Sequence, residues 1–220
     1  MSKRQLVIDC ATPALSVALF ENGALLASDH RELGRGHAEA LLPAIAALPD
    51  GGRAEEIIVD IGPGSFTGVR VGIAVATALG FAWQARVTGF GCLDLVAAMV
   101  RAQYRPAHAF PIVMVGGHGE LFWTMAPAER ADEPAVIRST PIAELAEQMD
   151  DVHIYGSGAQ TLVAARGGRG EAVTLLPDAR CIGLLPPALV SLAPRPNYGR
   201  GADAKPMAAA APSLPERSVP

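Results

Sequence analysis

Between Gly68 and Gln84 a single side chain, Arg70, carries charge. The stretch predicts a helix over residues 67–84, and a helix that lies on a sheet and faces water shows a polar stripe. This one has almost none, so whatever fold it enters must cover it on more than one side. Gly68, Gly72, Ala76 and Gly80 recur at four-residue spacing, which sets them along one ridge of the helix surface. Each glycine inside a helix costs about 1 kcal/mol relative to alanine, so a ridge of them implies close approach by another backbone. Ala40, Ala44 and Ala47 give a similarly small surface to an earlier predicted helix, residues 37–48. Packing of the two helices inside one lobe would use these surfaces but leave other faces of residues 67–84 bare. We therefore expect an intersubunit contact built from His37, Ala40, Leu41, Ala44, Arg70, Gly72, Ile73, Ala76 and Gly80.

Just upstream, residues 57–61 form a continuous apolar run of the kind buried on both faces of a sheet, and Gly62-Pro63-Gly64 breaks it. A strand, a glycine turn and a helix start can cradle an anion, because backbone N–H groups and the positive end of the helix dipole converge there. The same residues can equally make a plain tight turn capped by Ser65 or Thr67. No Lys follows the glycines, so the loop is not a Walker A motif. The candidate anion contacts are Asp9, Gly62, Pro63, Gly64, Ser65, Thr67 and Gly68. Asp9 closes the first apolar run, residues 5–9, and is either a site acid or a turn acid after a strand.

The surrounding pattern is α/β. Strands over residues 5–9, 15–20 and 25–28 make an antiparallel meander, with Asn22-Gly23 as the hairpin signal. Pro43 should bend helix 37–48, and a further helix is expected over residues 92–103. After Arg105-Pro106 the pattern begins again. Strands over 112–115 and 121–125 surround Gly116-Gly117-His118-Gly119, and a helix over 142–149 precedes a strand over 152–155. Gly156-Ser157-Gly158, read as a strand-to-helix turn, leads into another helix. The expected organisation is a first lobe, residues 1–104, a smaller second lobe, 105–192, and a Pro/Ala-rich tail, 193–220. The prolines of the tail forbid regular structure and leave it extended, disordered or laid over the surface.

Half of the 220 residues are hydrophobic and 5% are aromatic, so the core must be large and mostly aliphatic. Net charge is -4 without a dense Lys/Arg run, which argues against RNA binding by this chain alone. Trp83, Trp123 and Tyr155 are too scattered for a base-stacking platform. Cys10, Cys92 and Cys181 have no metal-ligand spacing and suit a reducing cytosol. Residues 6–9 are too few for a signal peptide, and the uncharged stretch 71–85 falls short of a membrane span. A soluble, cytoplasmic protein is expected.

The run Gly62-Pro63-Gly64-Ser65-Phe66-Thr67-Gly68-Val69-Arg70-Val71-Gly72 resembles the signature of the TsaB (YeaZ) family, relatives of TsaD. Asp9-Cys10-Ala11-Thr12 through Ser16-Val17-Ala18-Leu19 is similar to that family's opening hairpin. His37-Ala38-Glu39-Ala40-Leu41-Leu42-Pro43 is similar to its first helix. Pro196-Asn197-Tyr198-Gly199-Arg200, with Ala202-Asp203-Ala204-Lys205-Pro206, is similar to its C-terminal motif. The likeness is firm over residues 5–104, loose through the second lobe, and returns near the end.

The resemblance implies a two-lobed actin-like (ASKHA) fold with a reduced second lobe. In active members of that superfamily an Asp after the first strand and an acidic hairpin in the second lobe hold the metal-nucleotide. Asp9 fits the first position, but Val115-Gly116-Gly117 replaces the Asp-Ala-Arg usual in TsaB relatives. Magnesium needs hard oxygen ligands, and one is missing. TsaD relatives bind metal through two His four residues apart, whereas Leu41 follows His37 here. The resemblance therefore implies no catalytic residue, no metal and no cofactor of the chain's own. It implies an accessory subunit for a TsaD-like catalytic subunit, with a TsaE-like ATPase as a further partner and a homodimer in isolation. Transfer of a threonylcarbamoyl group to the tRNA adenosine beside the anticodon would fall to the complex, with tRNA reached only through it. The competing expectations are an autonomous actin-like ATPase or small-molecule kinase, and a metallopeptidase.

Overall fold

The computed structural model describes residues 3–198, whose strands form two five-stranded sheets with one helix between them. In the first sheet β1 (Arg4–Asp9), β2 (Ala14–Glu21) and β3 (Ala24–Glu32) form the expected antiparallel meander. Its hairpin turns at Asn22 and Gly23, with φ of 52° and 80°, the pair of positive φ angles that Asn-Gly tolerates. β4 (Glu56–Asp60) and β5 (Arg86–Phe90) then add parallel to β1, giving the order β3-β2-β1-β4-β5.

The second sheet has the order β10-β9-β6-β7-β8. It consists of β6 (Phe110–Gly117), β7 (Glu120–Ala126), β8 (Arg138–Pro141), β9 (His153–Tyr155) and β10 (Glu171–Val173). Counted within its own lobe, this order repeats the first: an antiparallel meander, then two parallel strands on the far side of its first strand. The duplicated order is the two-lobed actin-like architecture, with short outer strands marking the reduced second lobe. β5, β8 and β10, with five, four and three residues, lie where no strand is expected from the sequence.

α1 (His37–Ala46) and α2 (Phe66–Trp83) cover one face of the first sheet, over Leu6, Ile8, Leu15, Val17, Ile57 and Val59. α4 (Ile142–Gln148) and α5 (Ala159–Ala165) cover the outer face of the second, over Val113, Leu121 and Ile154. α3 (Cys92–Tyr104) lies between the sheets. Its Leu95 and Ala98 pack with Val7, Phe20, Ile58 and Phe90, while Leu93, Val96 and Val100 pack with Phe110, Ile112 and Met114.

After β10 the chain returns to the first lobe. The 3-10 helices Ala179–Leu184 and Pro187–Val190 put Ala179, Ile182, Leu185 and Leu189 into the same cluster as Val7 and Phe20. Leu192 bridges Gly89, and the Asn197 N–H donates to the Ile61 carbonyl at 2.7 Å. Residues 178–192 thus pack with the first lobe rather than with the second, to which the sequence reading assigns them. The first residues of the expected tail, 193–198, form a strap over the ends of the β-strands. The rest of that tail, including Gly199-Arg200 and the motif over 202–206, lies outside the described residues.

The glycine ridge is the main correction. Gly68, Gly72, Ala76 and Gly80 are buried, but against the chain's own sheet. A Cβ added at Gly72 would come to 2.9 Å from Cys10 Sγ and 3.4 Å from Val59 Cγ2, and one at Gly80 would collide with Val87. Leu41 and Ala44 are likewise buried in that core. These six residues are therefore out of reach of a partner. The small side chains let α2 settle close onto β1, β4 and β5, and its length and apolarity serve that seat. With 18 residues at mean hydropathy 1.4, α2 is long and apolar enough to cross a membrane by length and composition alone. The bare side of α2 is the opposite one, where Phe66, Arg70, Ala74, Thr77, Ala78 and Phe81 are exposed.

Ala76 is 0% exposed and Phe81 is 90% exposed on the same helix. Burying an unpaired charge costs several kcal/mol, so Ala76→Arg should leave little folded protein. Phe81→Ser should keep the wild-type melting temperature. Circular dichroism melts of both variants check this; a stable, monomeric Ala76→Arg would return the ridge to the surface.

Candidate functional site

In an open α/β sheet, ligands bind beyond the C-terminal ends of the parallel strands. In the first lobe those ends carry two acids. The β1–β4 register, Ile8 opposite Val59, brings Asp9 and Asp60 side by side, and they are 0% and 1% exposed. Asp9 Oδ1 accepts from the Ala11 N–H at 3.1 Å and Asp60 Oδ1 from the Gly62 N–H at 2.7 Å. The Oδ2 atom of each is buried with no donor from another residue. Burial raises the Asp9 pKa well above the usual carboxylate value, and the neighbouring Asp60 charge raises it further. Burial pushes Asp60 up to about 7, against the opposing Gly62 N–H. Two buried carboxylates side by side repel when both are charged, so the neutral form of each is favoured at the strand ends.

The glycine loop closes over this pair. The Ser65 N–H donates to the Ala11 carbonyl at 2.7 Å, and a Cβ at Gly64 would collide with that same oxygen. Gly62, at φ 98°, is covered by Asn197, whose carbonyl an added Cβ would meet at 2.7 Å. The Cys10 and Cys92 thiols donate to the carbonyls of Gly68 and Pro63 at 3.3 Å and 2.8 Å. Burial keeps both thiols protonated, well above their ordinary pKa, so neither is a nucleophile. Ser65 is the N-cap of α2, its Oγ accepting from the Gly68 N–H at 3.2 Å, while Thr67 is exposed. Residues 62–68 thus make a tight turn that is tied to Ala11 and capped by Ser65.

The second lobe repeats the closure. A Cβ at Gly156 would collide with the Val113 carbonyl, and the Gly158 N–H donates to that oxygen at 2.9 Å. The β6–β7 hairpin bears no acid until Glu120, which accepts from Ser139 Oγ at 2.7 Å. On α1, His37 Nε2 lies 3.2 Å from the Ala14 carbonyl and ties the helix start to β2. No three His, Cys, Asp or Glu side chains among the described residues gather as a metal site.

Asp60 is absent from the sequence-derived set; its place after an apolar strand, like that of Asp9, was the available signal. The strap residue Tyr198 is also new as a contact. It stacks on Phe66 at 5.3 Å and accepts from Arg70 Nε at 2.8 Å, while the Arg70 guanidinium lies 3.6 Å over the Phe66 ring.

The family model of TsaD, tRNA N6-adenosine threonylcarbamoyltransferase, matches residues 30–149. The chain belongs to this family. Within it, the similar proteins are of the TsaB and YeaZ kind. The Escherichia coli tRNA threonylcarbamoyladenosine biosynthesis protein TsaB is 34% identical over 131 residues, covering 54% of this chain and 53% of that protein. An uncharacterized Mycobacterium tuberculosis protein is 38% identical over 98 residues, covering 41% of this chain and 46% of that one. These matches mean that the chain spans about half the length of the curated relatives it matches. A Pseudomonas aeruginosa structure, described as similar to the peptidase YeaZ, superposes with a TM-score of 0.64 at 27% identity. It covers 83% of this chain and 89% of that one.

The peptidase label invites a check on Ser16, His30 and Asp178. His30 Nδ1 lies 3.0 Å from Ser16 Oγ and 3.9 Å from Asp178 Oδ1. Both partners face the same ring nitrogen, and Ser16 is 0% exposed while accepting from the Ala179 N–H. A hydrolytic relay needs the two partners on opposite nitrogens and an open hydroxyl. This cluster instead pins residues 178–179 to the first sheet.

Folded Asp60 holds its proton to about pH 7 and Asp9 holds its own well above the ordinary carboxylate range, whereas an unfolded Asp releases it near its ordinary pKa of ~4. The native state binds more protons across that window, so stability is full below it and is lost as pH rises through the folded pKa. Asp9→Asn should flatten the fall in stability between about pH 5 and about pH 8, a difference on the order of 2–4 kcal/mol. Urea melts across that range measure it, and an unchanged slope in the variant would rule out the raised Asp9 pKa.

Proposed function

We propose that this chain is the accessory subunit of a tRNA threonylcarbamoyladenosine-forming complex, which docks through the outer face of α2 onto a TsaD-like catalytic subunit and does no chemistry itself. The observation that carries this reading is the bare face of α2. Phe66 and Phe81 are 56% and 90% exposed, Ala74, Thr77 and Ala78 lie between them, and Arg70 is the one charge. Leu42 extends the apolar surface onto α1 at 50% exposure. Contiguous apolar surface of this kind marks a protein contact, and an aromatic anchor such as Phe81 suits the centre of one. His37, Ala40 and Ile73, all half-buried, can contribute at the margin.

The role in threonylcarbamoyladenosine synthesis follows the name of the E. coli relative, and the TsaD-like partner follows the family. A non-catalytic role fits the closed glycine loop and the buried carboxyl pair. A TsaE-like ATPase, a cytoplasmic setting and tRNA contact only through the complex complete the proposal. A second copy of the chain is the alternative occupant of α2 when the catalytic subunit is absent.

The experiment is reconstitution with the TsaD-like subunit of the same organism, reading complex formation by calorimetry and modified adenosine by mass spectrometry. Phe81→Glu should weaken association at least about tenfold, near 1.4 kcal/mol or more, with an unchanged melting temperature. Equal affinity in Phe81→Glu removes α2 as the docking face. ATP turnover by the isolated chain that disappears in Asp9→Asn would favour the autonomous ATPase instead.

A further inference from the structure

A cavity of about 550 Å³ opens between α3, the end of β7, the loop over residues 127–137 and the two 3-10 helices. It lies apart from both α2 and the Asp9/Asp60 pair. Its volume is that of a small-molecule site, and its floor includes Ala97, Ala98, Leu185 and Leu189. Arg101, Arg130 and Arg138 also line it. None of the three forms an ion pair with a described residue, whereas Arg4, Arg31 and Arg180 all do.

Two of these arginines are already held. Arg101 donates Nε to the Pro127 carbonyl at 3.0 Å and lies 5.7 Å over the Phe110 ring. The Arg138 guanidinium lies 4.8 Å over Trp123, on the sheet face that α4 and α5 cover rather than in the cavity, which leaves Arg101 and Arg130 to face a ligand. A guanidinium fixed against an aromatic face keeps edge N–H groups for an oxyanion. Of the acids that line the cavity, Asp94 offsets part of the Arg101 charge. Asp94 Oδ1 is engaged by the Ala135 N–H at 2.9 Å, and Glu133 is exposed on the loop.

We propose that this cavity binds a small amphipathic anion, with a carboxylate or phosphate head on the arginines and an apolar body on the Ala98, Leu185 and Leu189 floor.

Calorimetric titration of the full chain with octanoate, phenyl phosphate and the neutral octanamide tests it. Saturable one-to-one binding is expected for an acidic probe, and octanamide should bind at least about tenfold more weakly than octanoate. The tighter of octanoate and phenyl phosphate identifies the head group. Arg101→Gln should lose at least about tenfold in affinity for that probe. Arg130→Gln, which breaks no contact within the described residues, should weaken it in the same direction even if Arg101→Gln fails to fold. Phe81→Ser should bind as the wild type does. Equal affinity for octanoate and octanamide, no saturable binding of either acidic probe, or loss of binding in Phe81→Ser in place of the arginine variants would overturn the proposal.

Discussion

Helix α3 buries Leu95 and Ala98 into the first sheet and Leu93, Val96 and Val100 into the second, so one element supplies a hydrophobic face to both lobes. Each large aliphatic side chain contributes about 1.5–3 kcal/mol when fully buried, and the second sheet has no other described helix on that side. The start of α3 reaches further. Cys92 is bonded to Pro63 and to Gly62 through its thiol and its N–H, so the same helix holds the glycine loop over the ends of the β-strands. Asp94 bonds the Ala135 N–H, fixing the loop that walls the cavity. Sheets, loop and cavity thus all take their position from residues 92–104.

The closed ends of the strands are the second organising fact. A duplicated sheet of this order presents two glycine turns to the space between its lobes. In both turns the glycine packs on a carbonyl of the lobe's own first segment, Gly64 on Ala11 and Gly156 on Val113. The Ser65 N–H is given to Ala11 and the Gly158 N–H to Val113, so each turn is tied to its own lobe. The buried carboxyl pair is the electrostatic counterpart: burial raises the pKa of both acids, which favours their neutral forms.

Much of the fold was legible because its signals are local. Asn22-Gly23 set the hairpin, the apolar run 57–61 set β4, and Ser65 with the glycines set the start of α2. The strands β5, β8 and β10 were not legible. They are short, and their pairing is fixed by partners remote in sequence, as Gly89 with Leu192 illustrates. The small ridge of α2 was read correctly as close packing and assigned to the wrong neighbour, because composition cannot distinguish a glycine facing Cys10 and Val59 from one facing another chain. The inference that an element must be covered on two sides is true of the protein, but the helix concerned is α3. α3 carries Asp94 and Arg101 and so hid the fact that both its faces are buried. Asp60 escaped notice since one acid after a strand says nothing until the register sets it against Asp9.

The chain crosses between lobes twice, once through α3 and again when residues 178–198 return to the first sheet and end on Ile61 and Arg70. Two such crossings, one of them a helix with both faces packed, leave no hinge about which the lobes can swing. Opening would have to break two hydrophobic cores at once, in contrast to the cleft closure by which many two-lobed enzymes work. The molecule therefore meets whatever binds it as a single preformed shape. Little free energy is lost to reorganisation on binding, and the contact energy of an exposed aromatic surface can go into affinity instead.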